Sequence, residues 1–392
     1  MAEPRRRRNG AAVRFVVFVL FTLGVTEAAL RIGQPLLPPL RLVDYKTGPW
    51  LVANDPRWEV WHVPNATTVH YKSCFAAHYS SNAFGMRDGP RTLHAARPRV
   101  AVLGDSFAEG FGVNDDETVA SVLEHRELGG RAEVLNFGVS GNFGTTQEWL
   151  LYRGLARRFR PDVVVLFFLA ANDLTDNSWW YWQRLEPHRR RPYLVTNPLG
   201  QVTLFHPGPS LPRPVTLGWS ATEALKNRVT SASLLVRVGR ELRARLVERQ
   251  LAAGEHDMDP MALYATRLDA AWRTSWSVTA KSLRRLDRAV TRDGGKLLVV
   301  KIPDPAEVDP AAAASIDGRP GFDTSMPDRR LAAITARLGI DYLPLHDRFV
   351  AYRDAHRLPP PYFGRDCDSH WSPLGHRLAA EVVADHLRER GF

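Results

Sequence analysis

Residues 99–112 read Arg-Val-Ala-Val-Leu-Gly-Asp-Ser-Phe-Ala-Glu-Gly-Phe-Gly, and the rest of the chain is best interpreted outward from this stretch. The apolar run from Val100 to Leu103 predicts a short buried strand that ends at Gly104. Ser106 would then follow the carboxyl end of a parallel strand, which is where open α/β sheets bind ligands. Ser106 is therefore a candidate nucleophile, and the alternative is a serine that only caps the start of a helix.

Strand-like and helix-like segments alternate after this first strand. We expect further strands at residues 133–137, 162–169, 296–302 and 341–345, with helices near 117–128, near 145–158, within 261–293 and from Ser372 onward. The segment 162–169 is apolar on both faces, as a central parallel strand should be. This alternation predicts an α/β fold in which helices cover both faces of a mostly parallel sheet.

The first 32 residues combine a basic tail with an apolar segment. Four arginines, Arg5 to Arg8, precede an apolar run at 11–32 that is long enough to cross the hydrocarbon core of a membrane. Arginines on the amino side hold that side in the cytoplasm, so we expect the remainder of the chain to be extracytoplasmic, in the periplasm or at the cell surface. We interpret the segment as an uncleaved anchor. A cleaved signal peptide and a buried helix of a cytosolic protein are the alternatives.

Two further regions depart from the α/β pattern. Residues 33–98 suggest a proline- and tryptophan-rich stalk followed by a small β appendage, before the α/β domain at 99–392. An insertion at about 174–260 interrupts that domain and is too long for a plain loop. It opens with an aromatic cluster at 179–182, which could line a sugar or acyl site or could simply pack the insertion.

The composition is that of a globular protein, with 44% hydrophobic and 24% charged residues and a net charge of +10. No zinc or helix-turn-helix spacing is present, and basic residues do not interleave with aromatic ones. We therefore expect no nucleic-acid partner, and we find no metal or cofactor motif. Cys74 and Cys367 either form a disulfide, which an exported chain allows, or remain two free thiols.

Four short motifs fall at predicted strand ends or helix starts: Gly104-Asp105-Ser106, Asn136 to Gly141, Ala170-Ala-Asn172-Asp173, and Asp368-Ser-His370-Trp continuing to His376. In content and order they resemble the four motifs of the SGNH hydrolases, also called GDSL esterases and lipases. The resemblance covers about 99–173 and 296–392. It implies a flavodoxin-like three-layer α/β/α sandwich. The anchor and the Asp-x-His-Trp ending are similar to the membrane-tethered branch related to exopolysaccharide O-acetyltransferases.

The resemblance implies a role for each of these residues. Ser106 is the nucleophile, His370 the base that takes its proton, and Asp368 the acid that orients the imidazole. The amides of Ser106 and Gly141 and the side chain of Asn172 would form the oxyanion hole. Taken singly, His370 could be a structural histidine, and Asn172 with its neighbour could be an ordinary turn.

Two departures from the family pattern affect this assignment. Ala170 stands where the third motif usually has glycine, which narrows the expected pocket. The acid usually lies three residues before the histidine, where this chain has Cys367. Asp368 must then act from two residues away, and Asp366 is a second candidate for the acid.

The sequence thus indicates a serine esterase that acts on an acylated carbohydrate or a small ester through a Ser106 acyl-enzyme. An O-acyltransferase that modifies a cell-surface polysaccharide would use the same residues, with a sugar hydroxyl in place of water as acceptor. Further alternatives are a non-catalytic carbohydrate-binding protein and a cytosolic esterase with a hydrophobic start. The expected membrane contact is through the amino-terminal helix.

Overall fold

The computed structural model describes residues 5–37, 40, 43–55, 57–185, 190–196, 202–206, 215–217, 221–252 and 258–392. The strands within these ranges are β1 (Tyr45–Lys46), β2 (Leu51–Asp55), β3 (Glu59–His62), β4 (Thr67–Lys72), β5 (Phe75–Ser80), β6 (Arg99–Gly104), β7 (Glu133–Gly138), β8 (Val163–Leu169), β9 (Tyr193–Thr196), β10 (Val202–Phe205), β11 (Val215–Leu217), β12 (Lys296–Ile302) and β13 (Asp341–Pro344). The α-helices are α1 (Arg5–Ile32), α2 (Ser106–Glu109), α3 (Val119–Ser121), α4 (Thr145–Gly154), α5 (Ala170–Asp176), α6 (Trp179–Leu185), α7 (Ala221–Ala232), α8 (Leu234–Ala252), α9 (Ala270–Arg292), α10 (Pro305–Val308), α11 (Pro310–Asp317), α12 (Met326–Leu338), α13 (His346–His356) and α14 (Pro373–Glu389).

Five parallel strands form the central sheet, in the spatial order β13-β12-β8-β6-β7. Numbered along the chain within this sheet, the order is 5-4-3-1-2, which is the flavodoxin-like arrangement. The strand order reverses between β6 and β8, and ligands bind at this switch point in folds of this kind. The prediction of a three-layer α/β/α sandwich with a parallel sheet is confirmed.

The central strands of the sheet are buried on both faces because they are largely apolar. All seven residues of β8 are buried. On β6, Ala101 and Leu103 pack into the core that includes α4 and α9, whereas Val100 and Val102 pack into the core that includes α14. Alternate residues therefore supply the two cores, as the two-residue period of a strand requires.

Several predicted elements differ in detail. The region 117–128 forms the short α3 and a π-helical segment, Val122–Glu127, instead of one regular helix. A single helix, α9, accounts for most of 261–293, and Asp269 caps it by accepting from the Trp272 backbone N–H at 2.8 Å. Helix α14 begins at Pro373 and contains His376, as the sequence indicated.

The region before β6 contains more regular structure than a stalk. Strands β1 and β2 lie within the predicted stalk, and each belongs to a different three-stranded sheet. The two sheets have the orders β1-β4-β5 and β11-β2-β3. Because β11 comes from the insertion and pairs antiparallel with β2, the insertion and the amino-terminal region share one sheet. The first four residues of the predicted basic tail and parts of the insertion lie outside the described residues.

Helix α1 contains a candidate membrane span. The 21 residues Ala12–Ile32 are long and apolar enough to cross a bilayer, and none of the window is buried inside the protein. The exposed side chains include Phe15, Phe18 and Phe21. A lipid environment would cover this apolar surface, whereas a core helix would be covered by protein.

Cys74 and Cys367 form a disulfide across 293 residues of sequence, with 5.7 Å between their Cα atoms. Cys74 lies in the turn between β4 and β5, and Cys367 lies in the loop that leads to α14. The sequence left open whether these cysteines form a disulfide or remain free thiols, and the structure has the disulfide. It ties the amino-terminal sheets to the loop that carries Asp368 and His370.

We expect the double substitution Cys74→Ser with Cys367→Ser to lower the free energy of unfolding by about 2–5 kcal/mol, because the unfolded chain gains entropy when a long loop is released. Denaturant titration of the full chain in detergent checks this, with Ser73→Ala as a control that keeps the bridge. Equal midpoints for the double variant and the wild type, or free thiols in non-reducing mass mapping of the wild type, would contradict the expectation.

Candidate active site

Ser106, His370 and Asp368 form a continuous chain of hydrogen bonds. The Ser106 Oγ lies 2.7 Å from His370 Nε2, and His370 Nδ1 lies 2.5 Å from Asp368 Oδ1. The backbone N–H of His370 donates to the same carboxylate oxygen at 2.8 Å. Because Nδ1–H donates to the carboxylate, Nε2 is left to accept the serine proton, which is the arrangement of a Ser-His-Asp triad.

A sharp turn from β6 into α2 presents Ser106. Gly104 has a φ of +147°, and a Cβ placed there would lie 2.7 Å from the Ala108 Cβ, so a side chain would be both strained and crowded. Asp105 caps α2 by accepting from the Phe107 backbone N–H at 2.9 Å. Ser106 therefore begins the helix, at the switch point of the sheet.

Two aromatic rings hold the His370 imidazole. The Phe111 ring stacks on it with 4.3 Å between centroids, and the Phe107 ring lies at 4.8 Å. The His370 side chain remains 23% exposed. The ring is thus fixed on its faces while part of it stays open to a substrate. Both phenylalanines belong to the stretch 99–112, which also contains Ser106.

Asp368 also forms an ion pair with a lysine from a distant part of the chain. The Lys72 Nζ, at the end of β4, lies 2.5 Å from Asp368 Oδ2. Burial alone would raise the pKa of the Asp368 carboxyl, but the hydrogen bonds from His370 and Lys72 outweigh it and hold that pKa well below its usual range. Asp368 therefore stays ionised, while Asp366, the other candidate acid, lines a cavity beside the disulfide.

Asn172 is hydrogen-bonded to Asp105, the residue that directly precedes the nucleophile. It follows β8 in the first turn of α5, and its Nδ2 donates to Asp105 Oδ2 at 2.9 Å. Burial raises the pKa of the Asp105 carboxyl despite the hydrogen bonds from Asn172 and from the Phe107 amide. Asp105 thus both caps α2 and orients the Asn172 amide. The sequence suggested only a turn-stabilising role for it.

The loop that carries Gly141 is positioned by Glu109, a buried carboxylate that was not predicted as part of the site. Glu109 Oε2 accepts from the Ser140 backbone N–H at 2.8 Å. Glu109 Oε1 accepts from Trp50 Nε1 at 2.7 Å and lies 3.0 Å from His62 Nε2. Burial would raise the pKa of Glu109, but the hydrogen bond and charge of His62 lower it to about 2. One buried anion therefore joins α2, the amino-terminal sheet and the predicted oxyanion loop.

The conformation of Gly141 explains why this position needs glycine. Its φ is +109°, a region that residues with a side chain rarely adopt. A Cβ added there would meet no atom closer than the Val60 Cγ1, at 3.5 Å. Glycine is therefore required at this position by the backbone angle. It is not required by crowding from neighbouring protein atoms.

The structure thus brings Ser106, His370 and Asp368 into hydrogen-bond contact, ties Asn172 to the residue before Ser106, and holds Gly141 in a loop fixed from α2. Lys72 and Glu109 could not be predicted, because each acts across a long sequence separation. Within the described ranges, no group of three or more His, Cys, Asp or Glu side chains could hold a metal ion.

Two buried acids with raised pKa values, Glu148 and Asp173, lie beneath the site, in the layer formed by α4 and α5. Burial, with the nearby Asp173 and Asp105 charges, raises the pKa of Glu148 well above its usual value. Burial also raises the pKa of Asp173, which accepts from Thr145 Oγ1 at 2.8 Å. Among the described residues, both carboxyl oxygens of Glu148 are buried without a hydrogen-bond partner. Such a group is tolerated in its protonated form.

We expect Glu148→Gln to stabilise the protein relative to wild type as the pH rises. The pKa of Glu148 is raised in the folded state. The free energy of unfolding of the wild type is therefore unaffected by this group below the unfolded pKa of about 4.5, and it falls above that pH by up to about 1.4 kcal/mol per pH unit. Denaturant midpoints measured at about pH 5 and about pH 8 check this. A difference between variant and wild type that shrinks with pH would contradict it, and Glu389→Gln, at the exposed end of α14, is the control.

We expect Lys72→Met to reduce kcat for 4-nitrophenyl acetate about tenfold with little change in KM, because Asp368 would orient His370 less firmly. Lys72→Arg should restore most of the rate, since it returns a cation to the same carboxylate. Lys296→Met, on the exposed start of β12, is the matched control. An unchanged kcat for Lys72→Met, or a loss that appears in KM alone, would show that Lys72 does not position the triad.

A comparison with known protein families matches the carboxyl-terminal third of the chain. Residues 265–392 match the family described as SGNH hydrolase-like domain, acetyltransferase AlgX. This segment contains Asp368 and His370, whereas Ser106, Gly141 and Asn172 precede it. The resemblance to the SGNH hydrolases inferred from the sequence is confirmed, including the relation to the acetyltransferase-like branch.

Solved structures are similar to this chain only distantly. A lipase/acylhydrolase from Enterococcus faecalis is 10% identical, with a TM-score of 0.38 over 75% of this chain and 96% of that one. The acetyl xylan esterase AlAXEase is 13% identical, with a TM-score of 0.37 over 75% of this chain and 100% of that one. Such similarity indicates neither an activity nor a substrate. No curated protein matches this chain.

Proposed function

We propose that this SGNH hydrolase-like chain is a membrane-anchored serine acyltransferase. It carries an acyl group on Ser106 and passes it to a hydroxyl of a cell-surface polysaccharide. The observation that carries this proposal is the unbroken hydrogen-bond chain from Ser106 through His370 to Asp368. A hydroxyl is a weak nucleophile at neutral pH, and this chain supplies the base and the oriented acid that activate it.

In the first half-reaction Ser106 takes the acyl group from a donor ester. The Ser106 Oγ attacks the carbonyl carbon while its proton moves to His370 Nε2, 2.7 Å away. The carbonyl oxygen becomes an oxyanion that the Ser106 and Gly141 amides and the Asn172 side chain stabilise. Collapse of this intermediate breaks the bond to the leaving oxygen, which receives the proton from His370. Asp368 stabilises the imidazolium that forms in between.

In the second half-reaction the acyl group leaves Ser106. The acceptor hydroxyl gives its proton to His370 Nε2, and its oxygen attacks the acyl carbon. The Ser106 oxygen leaves and regains the proton. A sugar hydroxyl as acceptor gives an ester of the polysaccharide, and water gives hydrolysis. Either acceptor would use the same protein groups.

The family match favours transfer over the ester hydrolysis that the sequence placed first. The matching family is described as an acetyltransferase, and the match includes both Asp368 and His370. Ester hydrolysis remains the second candidate, because His370 is partly exposed and water can reach an acyl group on Ser106. We infer an acetyl group as the acyl group and a carbohydrate as the acceptor from the same match.

We also infer that the catalytic region is extracytoplasmic. Four arginines precede the candidate span of α1, and positive residues remain on the cytoplasmic side. The disulfide between Cys74 and Cys367 supports this orientation, since such bridges persist in oxidising compartments.

We expect Ser106→Ala to reduce turnover of 4-nitrophenyl acetate at least about a thousandfold, because no other group can carry the acyl chain. Mass spectrometry of the wild type with an acetyl donor should show one acetyl group on Ser106, and adding a polysaccharide acceptor should move it to the glycan. Ser121→Ala, on α3, is the control and should keep both signals.

Two outcomes would contradict the proposal. Equal turnover by Ser106→Ala and the wild type would indicate the non-catalytic, carbohydrate-binding alternative. Loss of the acetyl group to water at the same rate with and without glycan would leave ester hydrolysis as the activity.

A further inference from the structure

The helical hairpin formed by α7 and α8 exposes apolar side chains that the protein itself does not cover. Leu225 and Val229 of α7 are 62% and 42% exposed, and Leu242 and Leu246 of α8 are 58% and 60% exposed. A spacing of four residues places each pair on one side of its helix. Both helices therefore carry an apolar face, and exposed faces of this kind mark contact with a partner or with lipid.

These apolar faces point away from the body of the protein. Asn227 Nδ2 donates to the Lys46 carbonyl at 2.9 Å, and Arg240 Nη2 donates to the Asp44 carbonyl at 3.4 Å. On a helix with about 3.6 residues per turn, Asn227 lies about 180° and Arg240 about 140° from the centre of the apolar pair of its helix. Each helix thus attaches to the segment that contains β1 by one side and presents leucine or valine on the other.

The corner between α7 and α8 is bonded to the candidate membrane helix. Glu27 of α1 accepts from Ser233 Oγ at 2.8 Å and from the two backbone N–H groups that follow Ser233, both at 2.9 Å. Arg31 Nη2 donates to the Ala232 carbonyl at 2.7 Å. Glu27 therefore caps the start of α8, and the hairpin is fixed to the carboxyl-terminal end of α1.

The position of Glu27 along α1 determines where this corner lies relative to the membrane. Glu27 lies five residues before Ile32, the end of the candidate span, or about 7–8 Å along the helix at 1.5 Å per residue. A carboxylate is costly within the hydrocarbon, so Glu27 lies at its outer boundary when α1 spans the membrane. The groups that bond to Glu27 must lie at the same level.

The charge of the hairpin suits the same location. Residues 221–252 contain seven basic and three acidic residues. Basic residues near a membrane surface attract anionic lipid headgroups. Helices with an apolar face and a basic polar face lie in the membrane interface, with the apolar face about 5–10 Å deep.

We propose that α7 and α8 lie in the outer interface of the membrane that α1 crosses, with their apolar faces buried among the lipid headgroups and upper acyl carbons. This inference rests on the uncleaved anchor of the proposed function and extends it from one point of attachment to a surface. A second copy of the chain or another protein could also cover the two faces. The bonds between Glu27 and the hairpin corner favour the lipid, because they place the corner at the boundary of the span.

This placement holds the catalytic loop beside the lipid. Leu234 and Arg237 of α8 line a cavity of about 380 Å³ together with Cys74 and Cys367. Cys367 directly precedes Asp368 in the sequence. The interfacial hairpin, the disulfide and the triad acid are thus close neighbours, and the active site is held at a fixed height above the membrane surface.

Lipid-attached quenchers test the proposal on the full-length chain in nanodiscs that contain phosphatidylglycerol. A bimane probe is attached to Leu225→Cys or Leu242→Cys, with Phe18→Cys in α1 as the positive control and Asp347→Cys, on α13, as the matched negative control. We expect a quencher near the headgroups to reduce the fluorescence of both hairpin probes about twofold or more, because interfacial helices lie within its reach. The probe on α13 should keep its fluorescence.

Each other outcome overturns the proposal in a recognisable way. If the α1 probe responds to quenchers within the acyl chains but the hairpin probes match the α13 probe, the anchor holds and the interfacial hairpin is wrong. If the hairpin probes are unquenched and shielded only in a dimer, a second copy covers them instead. If α1 is unquenched as well, the anchor itself fails. Ser106-dependent turnover on the same nanodiscs reports the proposed function separately.

Discussion

The carboxylate of Asp368 lies between two hydrogen-bond donors that come from opposite ends of the chain. One oxygen accepts a hydrogen bond from His370, and the other accepts one from Lys72 of the amino-terminal sheet. A buried carboxylate is stable as an anion only when such donors satisfy it. The orientation of the imidazole, and so the reactivity of Ser106, therefore depends on the docking of a sheet that lies outside the α/β domain.

A second buried anion, Glu109, connects the amino-terminal region to the other side of the site. Glu109 is three residues after the nucleophile, and it accepts hydrogen bonds from Trp50 Nε1 and from the Ser140 backbone N–H in the predicted oxyanion loop. Burial would raise the pKa of Glu109, but the hydrogen bond and charge of His62 outweigh this effect and lower that pKa to about 2. The two anions thus connect the amino-terminal region to both sides of the candidate active site. The disulfide between Cys74 and Cys367 reinforces the contact on the Asp368 side.

Helix α1, the insertion and the candidate active site form a continuous series of contacts. Glu27 of α1 bonds to the start of α8, the first turns of α8 share a cavity with the disulfide, and the disulfide adjoins the triad acid. Strand β11 of the insertion also pairs with β2. The insertion thus connects the candidate membrane helix to the candidate active site.

The sequence alone predicted the α/β class, the strands of the sheet, and the serine and histidine of the triad. Apolar runs with a period of two or 3.6 residues are local signals, and motifs at strand ends meet at one edge of any parallel sheet. The choice of Asp368 as the acid, the disulfide, and the roles of Lys72, Glu109 and Asp105 were decided only by the tertiary structure. Each depends on a hydrogen bond or a bridge between groups whose distance is set by packing, and no local pattern encodes that distance.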